Sequence, residues 1–510
     1  MLSTIQSLGL AGIEPFTVTV EVSLARMIPM FDIVGLPDTA VKESRERVRS
    51  VFFHCKYPFP EGRIVVNLAP ADVKKAGTLY DLPIFIGLLC AQGVLPDNLE
   101  GCAFLGELSL SGQLHRVNGV LPMLLGASKI GIKRAFIPWQ NAAEASVVQG
   151  MEVYAVHTVD ELVAFLRGDG TLELASNVKF EDVPTPPLPD FEDVKGQEVA
   201  KRALEIAAAG SHNVLLIGAP GTGKSMLAKR LPSILPEMSM EEAIETTKIY
   251  SACGELLPNT PLIKTRPFRS PHHTVSAAGL CGGGVIPHPG EMSLAHNGVL
   301  FLDELPEFQR PAMEALRQPL EDGVLTIARA NSRLSFPSHI MLVAAMNPCP
   351  CGYFGHPSHP CICTPKRVAS YLNKVSGPLL DRIDLHVEVM PVNYEQLASK
   401  DKEEASADIK KRVCAARKIQ QNRFDGTGIS CNARIPPAML AQACPLSENA
   451  ERTLRLVFEK LGLSGRAYDR ILKVSRTIAD LDGSEVIQMA HISEAVQYRS
   501  LDRKYWGHKK

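Results

Sequence analysis

The sequence predicts a multidomain α/β protein: an α+β domain first, then an α/β nucleotide-binding core, then a C-terminal helical region. Three observations predict it. Strand and helix signals alternate through residues 1–168, the stretch NVLLIGAPGTGKSML at Asn213–Leu227 reads as strand, glycine loop and helix, and apolar positions recur at helical spacing beyond about residue 393. At 510 residues the chain is long enough for several separate cores.

Composition narrows the class. Lysine and arginine number 54 against 55 acids, a formal charge of −1, so any surface for nucleic acid has to be local. A hydrophobic share of 45% with 21% charged residues describes a globular chain rather than a disordered one. The longest apolar run, Leu82 to Val94, is broken by Gln92 and is too short for a bilayer, and MLSTIQSLGL lacks the basic start of a signal peptide. No membrane partner is expected. Twelve cysteines, four of them between Cys349 and Cys363, fit a reducing cytoplasm and one metal cluster better than a disulfide framework.

In the first domain, Phe16–Leu24 alternates as a strand, Thr39–Phe53 carries paired charges at helical spacing, and Arg63–Leu68 is again a strand. An apolar helix follows over 82–92, then the hairpin-like CAFLGELSLSGQLHRV and strands at Ala135–Ile137 and Val153–Val156. The charged helix face from Lys42 to Arg49 reads as a solvated surface in preference to a nucleic-acid patch. Pro184, Pro186, Pro187 and Pro189 then mark residues 169–193 as an extended linker.

The core begins with the glycine loop. Gly218, Ala219, Pro220, Gly221, Thr222 and Gly223 let backbone N–H groups curl round phosphate, Lys224 reaches the β- and γ-phosphates of ATP, and the Ser225 hydroxyl ligates Mg²⁺. About eighty residues on, the apolar GVLFL ends in Asp303 and Glu304, which suit the magnesium shell and activation of the attacking water. Between these motifs lies RPFRSPHHTVSAAGLCGGGVIPHPGEMSLAHNG, whose paired His272 and His273 lack further ligands at metal spacing and read as a loop contact. GVLTIARANSRLSFPSH reads as a hairpin with Arg329 and Arg333 near its tip. In CPCGYFGHPSHPCIC, Cys349, Cys351, Cys361 and Cys363 offer four thiolates to Zn²⁺, although the spacing inside each pair is one residue where two to four is usual. His356 or His359 could replace one sulfur.

The segments GLPDTAVKESRERVRS, VNLAPADVKKAGTLYDLPI, GELSLSGQLHRVNGVLP and SGPLLDRIDLHVEV resemble the magnesium-chelatase-like AAA+ ATPases, whose chains open with a Lon-protease-like domain of the ribosomal S5 domain 2 type. The resemblance implies such a domain over 1–168, an AAA+ core over 194–391 and a helical lid over 392–510. Leu79 and Leu121 stand where Lon proteases carry a serine nucleophile and a lysine base, so the first domain is expected to be catalytically dead. By the same resemblance Gly196 and Gln197 contact adenine, Asn347 is sensor 1, Arg382 is an arginine finger offered to a neighbouring subunit, and Arg466 is sensor 2. It implies a homo-hexameric, ATP-driven DNA motor, a helicase or branch-migration enzyme acting in recombination of incoming DNA during natural transformation, with the two insertions pointing into the pore. The alternative is a chelatase-like ATPase that remodels a protein partner.

Overall fold

A computed structural model of the chain describes residues 1–506 except 97, 177, 285–286, 330–331, 357 and 399–401, and the side chains of 329, 332, 397, 461, 502 and 503 also lie outside the description. The chain divides into two compact units. The first comprises Met1–Pro184 and Ser239–Lys264, the second Thr185–Met238 and Thr265–Lys510.

The first unit holds a mixed sheet of β1 (Leu2–Ala11), β2 (Glu14–Ala25), β3 (Met30–Val34), β4 (Arg63–Ala69), β5 (Cys102–Phe104), β6 (Arg134–Pro138), β7 (Glu152–Val156) and β8 (Glu173–Leu174), in the order β8-β7-β6-β5-β1-β2-β4-β3. β1 and β2 form a long antiparallel hairpin from Leu2↔Ser23 to Ala11↔Glu14, turned at Gly12, whose φ of 69° suits glycine. Strand β2 alternates: Val18, Val20 and Val22 are buried while their neighbours face outward. Helix α1 (Thr39–His54) starts where the Asp38 carboxylate accepts from Val41 N at 2.8 Å. It buries Val41, Val48, Val51 and Phe52 and turns Lys42, Arg45 and Arg49 to solvent. Helix α2 (Asp81–Ala91) is buried on every side, which explains its uninterrupted apolar sequence. Its one charge, Asp81, is held by Arg47 Nε at 2.6 Å and by Leu108 N at 3.2 Å. Helices α3 (Val120–Lys129) and α4 (Val159–Arg167) complete the layers. Leu121 is fully buried on α3, and Leu79 packs against the same apolar cluster.

The segment Ser239–Lys264 lies inside the stretch expected as ATPase core, yet it belongs to the first unit. Its helix, Met240–Cys253, starts with a reciprocal Ser239–Glu242 cap. It is tied in where Gly119 N donates to Ser251 O at 2.9 Å and Arg116 Nη2 to Leu256 O at 2.6 Å.

The second unit is built on five parallel strands, β9 (Val214–Ile217), β10 (Phe268–Arg269), β11 (Val299–Leu302), β14 (Met341–Met346) and β15 (Leu385–Glu388), in the order β10-β11-β14-β9-β15. Between β11 and β14 the chain makes a two-stranded hairpin, β12 (Val324–Arg329) with β13 (Ser332–Pro337). Four-residue β9 is apolar throughout because helices cover both faces of a parallel sheet. Helices α5 (Glu198–Gly210) and α6 (Lys224–Ile234) flank it, and the alanines of α5 at 203, 207, 208 and 209 permit close packing. The lid helices α7 (Ser406–Arg423), α8 (Glu448–Leu461), α9 (Gly465–Leu481) and α10 (Met489–Gln497) share one apolar core with the sheet, through Ile409, Val413, Ile471, Val474 and Ile478.

Candidate nucleotide site and cysteine cluster

Parallel strands end together, and the loops that leave β9, β11 and β14 therefore meet. The loop after β9 carries Gly221 at φ 79° and Gly223 at φ 89°, the left-handed conformation that lets successive N–H groups face one concavity at the start of α6. No atom stands within 4 Å of where a Gly221 side chain would begin, so the concavity is open. Lys224 Nζ folds over the loop, donating to Gly218 O and Ala219 O at 2.8 Å each and to Asn347 Oδ1 at 3.3 Å. Burial pushes its pKa down, against the pull of Asp303. Ser225 Oγ donates to Asp303 Oδ2 at 2.6 Å, which puts the two oxygens expected around Mg²⁺ side by side. Glu304 follows at φ 53°, a strained backbone for a residue with a side chain, with its N–H on Asp303 Oδ1 at 2.9 Å. Gln197 Nε2 bonds Thr222 O at 3.2 Å and Met390 O at 2.6 Å, and Gly196 N donates to Glu403 at 2.9 Å. The loop, the two acids, Asn347 and Gln197 thus converge. The open N–H cradle, the lysine and the Ser–Asp pair fit a nucleoside triphosphate with its magnesium.

Arg382 and Arg466 are elsewhere. Arg382 is 7% exposed, with Nη2 on Glu321 at 2.7 Å, Nη1 on Pro378 O at 2.7 Å and Nε on Arg317 O at 2.9 Å. It lines a cavity of about 570 Å³ together with Arg466, Arg434, Arg470 and Lys473. No residue of the glycine loop, nor Asp303, Glu304 or Asn347, lines that cavity; Asn213, at the opposite end of β9, does. Arg470 and Lys473, one and two turns beyond Arg466 on α9, are residues that no sequence motif singles out. Arg470 Nη1 bonds Asp384 Oδ1 at 3.0 Å, and Lys473 Nζ donates to Ala433 O at 3.1 Å. The signal was present, since residues 466, 470 and 473 share one helical face. Burial alone would raise the Asp384 pKa, but Arg470, His212 and the Asn213 N–H hold it well below the ordinary carboxylate range.

The four cysteines form one cluster. Sγ atoms of Cys349, Cys351 and Cys361 lie 3.3–3.6 Å apart, and all four, with Cys363, lie within 4.8 Å. A zinc–sulfur bond of about 2.3 Å requires tetrahedral edges of about 3.8 Å, so the cluster fits Zn²⁺ despite its tight spacing. Burial opposes ionisation of Cys351, yet the N–H groups of Tyr353 and Ile362 pull its pKa down to about 6. His356 Nδ1 instead accepts from Ser358 N and His359 N inside its own loop. The cluster touches the nucleotide loop: a side chain added to Gly352 would lie 2.4 Å from Pro220 Cδ.

Arg333 stands exposed on β13, opposite Ala328, and the Arg329 side chain lies outside the described residues. No helix among the described residues is long and apolar enough to cross a membrane.

A parallel sheet with this glycine loop, Asp-Glu pair and helical lid defines a P-loop ATPase of the AAA+ type. Family comparison agrees: residues 190–397 match "Magnesium chelatase, subunit ChlI", residues 20–141 "Subunit ChlI of Mg-chelatase" and residues 403–499 its C-terminal domain. The chain is 45% identical over 507 residues to competence protein ComM of Haemophilus influenzae, covering 98% of each chain, and 43% identical over 511 residues to YifB of Escherichia coli, again 98% of each. A shorter match, 27% over 183 residues, covers 32% of this chain and 51% of the magnesium-chelatase 38 kDa subunit of Rhodobacter capsulatus. The chain belongs to the ComM/YifB family of magnesium-chelatase-like AAA+ ATPases.

Proposed function

We propose that this chain is an ATP-driven DNA motor that assembles as a ring and moves branched or single-stranded DNA during recombination. The observation that carries the reading is the separation of Arg382 and Arg466 from the glycine loop. The four residues of β9 span about 13 Å, and the cavity that Arg382 and Arg466 line opens beyond the far end of that strand. Both arginines therefore act in trans, on the nucleotide of a neighbouring subunit. Within a subunit, Lys224 offsets the charge of the β- and γ-phosphates, Asn347 orients Lys224, and Glu304 takes the proton of the attacking water. Ser225 and Asp303 would hold magnesium, which when bound would supply positive charge beside the transferred phosphoryl group. Arg382 and Arg466 of the neighbour supply the remaining positive charge.

The DNA assignment rests on likeness to a competence protein and on the basic hairpin β12–β13. The Cys349–Cys363 cluster holds zinc as a structural strut, and the first unit is a scaffold rather than a protease, since Leu79 and Leu121 can neither attack a carbonyl nor accept a proton. The test is ATP hydrolysis with and without DNA, followed by junction migration. Wild type should be stimulated by DNA and resolve a synthetic four-way junction. Arg329→Ala with Arg333→Ala should keep basal hydrolysis, bind DNA more weakly with a flatter salt dependence, and move no strands. Absence of any DNA binding or stimulation in wild type would favour the protein-remodelling reading.

A further inference from the structure

Two residues past Arg382, the Asp384 carboxylate is 9% exposed and joins three parts of the second unit. Its Oδ2 accepts from Asn213 N, just before β9, at 3.1 Å and lies 3.3 Å from His212 Nδ1. Its Oδ1 accepts from Arg470 Nη1 on α9 at 3.0 Å. His212 Nε2 in turn lies 2.8 Å from Thr477 Oγ1, so Asp384 reaches α9 at two residues seven apart, about 10 Å along its axis. A helix held at two points of one face can neither roll nor slide. The finger segment is gripped as well: Asn213 Nδ2 donates to Arg382 O at 2.8 Å and Arg499 Nη1 to Ile383 O at 2.7 Å.

Arg466 stands exposed in the first turn of α9, one turn before Arg470. An exposed side chain is placed by the backbone that carries it, and charges aimed at a transition state help only when their geometry is preset. We infer that Arg470 and Asp384 are positioning residues: their ion pair locks α9 to the finger segment, so that Arg382 and Arg466 are presented to the neighbour's nucleotide at one fixed separation. The inference rests on the reading that both arginines act in trans.

Steady-state hydrolysis, equilibrium ATP binding and mixed rings of the full chain test it. Arg470→Met, which keeps the stem and removes the charge, should lower kcat about tenfold and leave ATP affinity unchanged, because the glycine loop of the same subunit stays intact. Arg470→Lys should recover most of the rate. Asp384→Asn should reproduce the loss from the other side of the pair, and Asp384→Asn with Arg470→Met should be no slower than the worse single variant. Mixing separates positioning from mere destabilisation. With Lys224→Ala subunits, hydrolysis per Arg470→Met subunit should rise several-fold, since a sound glycine loop then meets soundly placed arginines. With Arg382→Ala subunits it should not rise, because both chains are flawed on the same edge. An unchanged kcat in Arg470→Met, a loss confined to ATP affinity, or no gain on mixing with Lys224→Ala where Arg382→Ala does gain would overturn the inference. No recovery by Arg382→Ala with Lys224→Ala would instead remove the trans reading and the inference with it, which keeps the two failures distinct.

Discussion

Lys224 shows how much one side chain carries here. With its ammonium capped by two carbonyls and Asn347, it is buried and held below the ordinary lysine pKa by that burial. Lys224→Ala should abolish tight ATP binding, whereas Glu304→Gln should bind ATP and stall; equilibrium binding of a fluorescent ATP analogue beside a phosphate-release assay separates the two outcomes. The pKa adds a pH dependence whose sign follows directly. A lysine with a lowered pKa loses its proton sooner as pH rises, and phosphate affinity depends on the charged form. ATP affinity should therefore fall on the alkaline side at lower pH than an exposed lysine would give. Titrating binding from pH 7 upward checks this, and Lys224→Arg, which stays charged, should flatten the limb.

At the scale of elements, the cysteine loop joins the nucleotide site to the segment leading to Arg382. Purified protein should contain about one zinc per chain, and Cys361→Ser with Cys363→Ser should lose the metal, lower Tm and slow hydrolysis, because Gly352 backs onto Pro220 of the glycine loop. Metal analysis with differential scanning fluorimetry reads both effects. Elements with a strong period or motif were legible in sequence. Strand β2, helices α1 and α2, the β12–β13 hairpin and β9 all lie where alternation or apolar runs put them. Strands β1 and β3 were not, since LSTIQSLGLA and MFDIV carry too little regular alternation to stand out. The two-residue β10 is too short to leave a pattern, so His273, which follows it, read as part of a loop. Motif residues could be named one by one, but that Arg382 and Arg466 share a cavity depends on how the lid packs, and that is a tertiary fact.

The whole molecule is expected to work only in company. Arg382→Ala subunits keep an intact glycine loop, and Lys224→Ala subunits keep an intact finger, so mixing two inactive proteins should restore part of the hydrolysis at sites that combine the sound halves. A ratio series of mixed rings measures it, and no recovery at any ratio would count against a finger acting in trans. One feature of the chain path bears on how such a machine can be taken apart. The chain passes from the first unit to the second at Pro184, returns at Ser239 and leaves again at Lys264, so three covalent crossings join the units. The proline-rich stretch looks like a place to cut, yet a protease nick there severs only one of the three. Nor can the ATPase half be expressed cleanly from residue 194 onward. Such a fragment would carry the helix Met240–Cys253 with Met240 and Ile244 stripped of the first unit's apolar cluster they pack against, and would be prone to stick to itself. The two units are interleaved in the chain, so no single cut releases either of them as one continuous segment.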